Sequence, residues 1–276
     1  MAPITHIRRF SSLDRLFHLF LMVTFLIQTA TGFSRLYITT SWGKNINNLF
    51  GGYETSFFIH EVVGVLMIIG FLIHTSYLLT RIKWKNLTKF ILGPDSLVLN
   101  FQDGLQLWQR ILWFFGVGSP PKFDRWTYFE KFDYWAVYWG LPLLAVTGLM
   151  AMFPLTTSRF VPGWFLNIAV LLHRAEALLA VSYIFIVHFF IGHFRPASFP
   201  MNESMFSGSV SLEEAMEERP AWIDRLKKEG GLEHARANPP VLWYRVLYFV
   251  YGYAALAFGI YLLVNGIANS SSINLH

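Results

Sequence analysis

Five stretches of the sequence, at about residues 13–33, 57–79, 134–153, 165–190 and 241–264, are each long and apolar enough to cross the roughly 30 Å hydrocarbon core of a bilayer as a helix. A chain carrying five such runs has few folds open to it. Inside lipid every backbone polar group must be satisfied within its own segment or a closed barrel, so the expected class is all-α and polytopic. Composition agrees: 54% of the 276 residues are hydrophobic and 18% aromatic, while 14% are charged, against about 25% in ordinary soluble domains. That argues against a soluble enzyme. The sequence has no cysteine, which removes disulfides, iron–sulfur clusters, thiolate zinc sites and the covalent attachment of c-type haem. Redox or metal chemistry therefore has to rest on His, Met or carboxylates.

The net charge of +5 is distributed along the membrane boundary instead of gathering into a nucleic-acid surface. Eighteen of the 22 Lys and Arg residues fall in the N-terminal arm, between the second and third spans, or between the fourth and fifth. The other four are Arg35, Lys44, Arg159 and Arg174. By the positive-inside rule the N-terminus is cytoplasmic and the tail 265–276 lies outside, in a multi-pass protein. The Arg8-Arg9 pair precedes an apolar run, but Asp14 and His18 interrupt it and no small-residue cleavage site follows, so it is read as the first span. A sixth apolar stretch, 96–115, is broken by Asn100, Gln102, Asp103 and Arg110. It reads as an amphipathic helix on the cytoplasmic membrane surface, capped by Asp95 or Ser96. Residues 196–240 form the one sizeable polar segment, with a capping box at Ser211 and Glu214, and suggest short cytoplasmic surface helices.

The first and third spans repeat one another. Arg15 aligns with Lys131, His18 with Tyr134, and Thr31-Gly32 with Thr147-Gly148. The second and fourth spans each open and close on histidine: His60 and His74, then His173 and His188. The chain is thus expected to hold two two-helix repeats, 8–83 and 125–195, joined by the interfacial helix 96–115 in a four-helix bundle over 1–195. The polar segment 196–240 and a fifth transmembrane helix at 241–264 follow.

Spacings of 14 and 15 residues are close to four helical turns, so each pair shares a face about 21 Å apart along its axis. Because the second and fourth spans run the same way, His60 lies at the depth of His173 and His74 at that of His188. Opposed imidazoles at two depths are the geometry of two b-type haems held by bis-His ligation, one near each membrane surface. Ionisable groups inside spans are costly and usually functional. His18 reaches about the same depth as His74 and His188, so three histidines compete for the inner haem; the one left over can bind a quinone oxygen or pass a proton. Small residues, Gly32, Gly64, Gly70 and Gly148 among them, would let a flat macrocycle approach. Arg174 outside, and Arg15, Arg81 or Lys131 inside, are candidate partners for propionates. Arg125, Tyr128, Glu130 and Lys131, just before the third span, are candidates for quinone-linked proton handling or for interfacial anchoring. His193 reads as a surface residue, and His6, His234 and His276 as solvated.

On these motifs the chain resembles the dihaem cytochrome b family that includes the gamma subunits of membrane-bound formate dehydrogenases. The likeness covers about residues 8–220. It rests on LDRLFH and TGF in the first span, EKFDYWAVYWG and VTGL in the third, HR-x-EALLA with His188 beyond it in the fourth, and PMNESMFSGSVSLEE afterwards. The resemblance implies four axial ligands at His18, His60, His173 and His188, pairing His60 with His173 and His18 with His188, and a menaquinone site beside the inner haem. The histidine spacings also look like cytochrome b of the bc complexes, which would select His74 over His18, but the Pro-Glu-Trp-Tyr motif of that family is missing. The fifth span and His74 depart from the formate dehydrogenase pattern. The implied function is an electron conduit between the menaquinone or ubiquinone pool and a partner redox subunit, a multihaem cytochrome or iron–sulfur protein, in contact with membrane lipid. The rivals are a proton-coupled transporter, which would need helices broken at mid-membrane, and a membrane anchor with no redox role.

Overall fold

The computed structural model describes residues 3–82 and 84–273. Lys83 and His276, placed above among the cytoplasmic cations and the solvated histidines, lie outside the described residues, as does the end of the tail. Helix α1 (Ser12–Leu36) is followed by the short α2 (Ser41–Leu49) and by α3 (Tyr53–Arg81). Helix α4 (Phe101–Phe114) precedes α5 (Tyr128–Met152) and α6 (Gly163–Phe194). Then come α7 (Leu212–Glu218), α8 (Pro220–Lys228) and α9 (Leu242–Ala268). Helices α1, α3, α5, α6 and α9 are the five expected spans. The chain is an all-α, multi-pass membrane protein. Only Ser56 is buried along all 29 residues of α3, and a helix that apolar with so little cover needs lipid around it.

Helices α1, α2, α4, α5 and α7 begin where side chains satisfy their first amide groups. At α1, the Ser11 amide donates to Asp14 Oδ2 at 2.8 Å and the Asp14 amide to Ser11 Oγ at 3.2 Å. At α5 the same reciprocal box recurs 116 residues later, with Thr127 N donating to Glu130 Oε2 at 3.0 Å and Glu130 N to Thr127 Oγ1 at 3.3 Å. This start lies before residue 134, because polar capping residues hide a helix from a hydropathy reading. Helix α4 is capped by Asn100 together with Asp103, not by Asp95 or Ser96. Only Asn100 and Asp103 have the spacing to satisfy two amides reciprocally. At the far end of α6 the backbone widens into π-helical turns at Tyr183–His188 and Phe190–Phe194, a departure that tends to mark functional positions.

The chain divides into two compact units. The first contains residues up to Arg15, Ser76–Tyr138 and Asn202–Val246. Here strand β1 (His6–Arg8) lies between β2 (Ser209–Ser211) and β3 (Arg236–Ala237), antiparallel to both, with Ile7 opposite Val210 and Arg236. Ile7, Val210, Ala215, Trp222 and Ile223 form its core. Short helices alone were expected over 196–240. The small sheet escaped that reading because its central strand comes from the other end of the chain, where three residues carry no local signal.

The second unit contains Leu16–Thr75, Trp139–Met201 and the residues from Leu247. Ala30, Phe33, Tyr37, Trp42, Ile46, Val181, Phe185 and Leu262 pack together and join α1, α2, α6 and α9. Tyr37 Oη donates to the Gly266 carbonyl at 2.9 Å, and Trp42 Nε1 to Tyr261 Oη at 3.1 Å. At Gly259 and Gly266 the α9 backbone itself comes close to aromatic rings of its neighbours. A Cβ at Gly259 would stand 2.7 Å from Phe189 Cε2 and 2.9 Å from Phe185. Gly259→Leu is therefore expected to cost about 1–3 kcal/mol by overpacking, seen as a lower melting temperature of the detergent-solubilised protein. An unchanged melt would mean that α9 does not pack on α6 as described.

Candidate functional site

Within the second unit four of the intramembrane histidines form two facing pairs. The rings of His60 on α3 and His173 on α6 have centroids 6.4 Å apart. Those of His18 on α1 and His188 on α6 are 6.3 Å apart. With metal–nitrogen bonds of about 2.0 Å and about 1 Å more from each nitrogen to its ring centre, one metal ion between two imidazoles sets the rings roughly 6 Å apart. Among the described residues no group of three or more His, Cys, Asp or Glu side chains gathers to hold a metal ion. Each pair thus offers two ligands. That is too few for a bare zinc site and the number that an iron already held in a porphyrin plane takes from protein.

The first pair is seated from behind by the repeated Thr-Gly motif. Thr31 Oγ1 lies 2.9 Å from His60 Nδ1, and Thr147 Oγ1 lies 3.1 Å from His173 Nδ1, which also meets the Leu144 carbonyl at 3.1 Å. With Nδ1 engaged, Nε2 is the nitrogen left to a metal, and the hydrogen bond fixes ring orientation. The adjacent glycines give each ring its room. A Cβ at Gly32 would stand 3.3 Å from His60 Cε1, and one at Gly148 would stand 3.1 Å from His173 Cε1. These two glycines therefore face imidazoles. Gly64 faces Gln28, whose Nε2 donates to the His60 carbonyl at 2.9 Å, and Gly70 faces Phe20. The Thr-Gly pairs were visible as a repeat in the sequence; their recurrence at matched positions was the signal for this role.

His74 packs edge-on to Phe17 with centroids 4.5 Å apart, while the ring of His18 faces that of His188. His193 is half-buried among Phe189, Phe194 and Tyr253, where the sequence suggested a surface residue. The charge of Arg35 acts on both His60 and His173, and that of Arg174 on His173. Arg35 is a cation at this end that the sequence reading did not single out.

The remaining candidates fall in the first unit and are engaged there. Arg15 donates to the Phe206 carbonyl at 2.8 Å. Lys131, its counterpart in the repeat, donates to Asp103 Oδ2 at 2.9 Å, both groups buried. Each cation pins a distant stretch of chain. Glu130 Oε1 accepts from Arg9, and from Arg219 Nη2 at 3.0 Å; both guanidinium groups are buried. Burial pulls Arg9 down to about 10, with Glu130 acting in the opposite sense. Arg125 donates to the Arg9 carbonyl at 3.0 Å, and Tyr128 packs against Phe123 and Phe129. Nothing in the local sequence joined Arg9 and Arg219 to Glu130, since 121 and 89 residues separate them.

A lipid-covered helical bundle with two facing imidazole pairs defines a class: the membrane b-type cytochromes, electron carriers whose haem is held noncovalently. Residues 9–208 match the family described as prokaryotic cytochrome b561, and the chain belongs to that family. No curated protein matches the sequence closely enough to add to this. Family membership bears out the expected membrane cytochrome b.

Two outcomes follow from this geometry. Thr31→Val and Thr147→Val should each weaken haem retention by roughly tenfold or more, measured by haem loss to an acceptor protein; Thr→Ser at either position should restore it. Glu130→Gln should leave the buried Arg9 guanidinium without its paired carboxylate, and Arg219 with Glu218 alone, and cost on the order of 3 kcal/mol, read as a lower unfolding midpoint, whereas an unshifted midpoint would deny the cluster a stabilising role.

Proposed function

We propose that the protein carries electrons through two b haems, an outer one held by His60 and His173 and an inner one held by His18 and His188, between the membrane quinone pool and a partner redox subunit. The observation that carries this reading is the two ring separations, 6.4 and 6.3 Å, which fit one iron between each pair. The close approach of His18 to His188 supports His18 as the inner ligand. His74, packed on Phe17, is then the histidine left over from ligation, with the part of binding a quinone oxygen or passing a proton. Bound haem supplies a one-electron iron couple at each pair. The protein's own part is to present Nε2 of His60 and His173 by holding Nδ1, and to surround the couple with apolar side chains that exclude water. Arg35 and Arg174 are the cations nearest the outer pair and suit propionates there.

The distribution of Lys and Arg supports a cytoplasmic N-terminus and a periplasmic C-terminus in a prokaryotic inner membrane. Menaquinone or ubiquinone would exchange electrons near the inner haem. The other redox centre, a multihaem cytochrome or an iron–sulfur protein, belongs to a partner, since a chain without cysteine cannot bind a cluster through thiolates. Helix α4 keeps Asp103 buried while Phe101, Leu105, Trp108 and Phe114 are exposed, which supports its lying in the lipid interface.

The test is the optical and redox spectrum of the purified protein, expected to show two low-spin bis-His haems per chain. His18→Ala should lose the inner haem while His74→Ala keeps both. A colourless preparation would remove the reading, and loss of the inner haem in His74→Ala alone would reassign the ligand.

A further inference from the structure

Helix α6 carries an acid that none of the roles above uses. Glu176 lies one turn beyond His173, between it and His188 along the helix axis, at about 4.5 Å from the first and 18 Å from the second at 1.5 Å per residue. Its carboxyl group rests on Gly140, the middle residue of α5: a Cβ at Gly140 would stand 2.7 Å from Glu176 Oε1. Gly140 is itself buried. It shares a face of α5 with Leu144 and Thr147, one and two turns along, which contact His173. The acid thus occupies the α5–α6 groove on the side of the histidine pair. The repeat gives it no counterpart, since the matching position on α3 is Val63 and the position matching Gly140 on α1 is Thr24.

Among the described residues no hydrogen bond or ion pair reaches this carboxyl group. The neighbouring element α5 presents Gly140 to it, and no charged side chain of another element acts on it. On α6 the titratable groups beside it are Arg174 and His173, two and three residues before it, and Arg35 also acts on His173. An ionisable group within a span and without a counter-ion is costly in its charged form and is rarely placed there without use. It sits where an electron would arrive. Adding an electron to a centre of low dielectric is opposed by a nearby negative charge and favoured by its neutralisation.

We propose that Glu176 is a redox-linked protonation site: when ferric iron held between His60 and His173 is reduced to ferrous by one electron from quinol or the partner subunit, the Glu176 carboxylate takes up one proton from water, and it releases that proton on reoxidation. Net charge in the groove then stays constant through each turnover. The inference rests on the haem reading above. Its direction is fixed by linkage: raising the pH favours the carboxylate, which opposes reduction, so the midpoint potential falls with rising pH.

The experiment is a spectroelectrochemical titration of the purified, haem-loaded protein at a series of pH values, with a reduced-minus-oxidised infrared difference spectrum on the same sample. The native protein is expected to show a pH-dependent midpoint for one haem and a protonated-carboxyl C=O band that appears on reduction. Glu176→Gln should lose both, and Glu176→Asp should keep a pH dependence displaced along the pH axis. Two normal haems with the same slope in Glu176→Gln as in the native protein would overturn the proposal while leaving the haem reading intact. A native infrared spectrum without a carboxyl band would overturn it even if the variant failed to fold. A preparation without haem would instead remove the reading on which it rests.

Discussion

A buried imidazole presents one nitrogen outward only when its other nitrogen has a partner, and the hydroxyl groups of Thr31 and Thr147 provide that partner for His60 and His173. Much else in the bundle can be derived from this requirement. The threonine must come from a neighbouring helix, so α1 has to run beside α3, and α5 beside α6. The residue after it is glycine, where a Cβ would crowd the ring at 3.3 or 3.1 Å from Cε1. Two such seats, 116 residues apart on helices of the same repeat, place the first histidine pair across the bundle with its rings a metal's width apart.

The same repeat organises the other unit by different means. Ser11 with Asp14, and Thr127 with Glu130, start α1 and α5 in the same way, and the cation next in each sequence, Arg15 or Lys131, reaches a distant segment. Glu130 is both a capping residue and the shared acceptor of two buried arginines. A carboxylate with those partners is bound into the architecture, so the residues just before the third span serve as ties between chain segments as well as candidates for chemistry at the boundary. The later part of α6 is less regular. Its π-helical turns contain His188 and His193, and Phe185 and Phe189 in this stretch pack against Gly259 of α9. The fifth span therefore supports the stretch of backbone that aims His188 toward α1.

The amino-acid sequence by itself determined the class of this protein. Five apolar runs, the lack of cysteine, the bias of Lys and Arg, and histidines recurring at four-turn spacing are one-dimensional properties, and lipid leaves a chain with them little alternative to a helical bundle. The repeat and its Thr-Gly pairs were also legible, although their purpose was not, because a hydrogen bond between helices leaves no trace in either helix alone. What only the tertiary structure decided is which groups meet. Helix periodicity sets His18 and His74 at about the same depth, and helix packing turned one toward His188 and the other onto Phe17. Arg9 and Arg219 found Glu130, β1 found strands some two hundred residues away, and Glu176 found the gap above Gly140. Periodicity fixes the face of a helix on which a side chain stands, but its neighbour is set by the rotation and offset of a second helix, which depend on the packing of all the others.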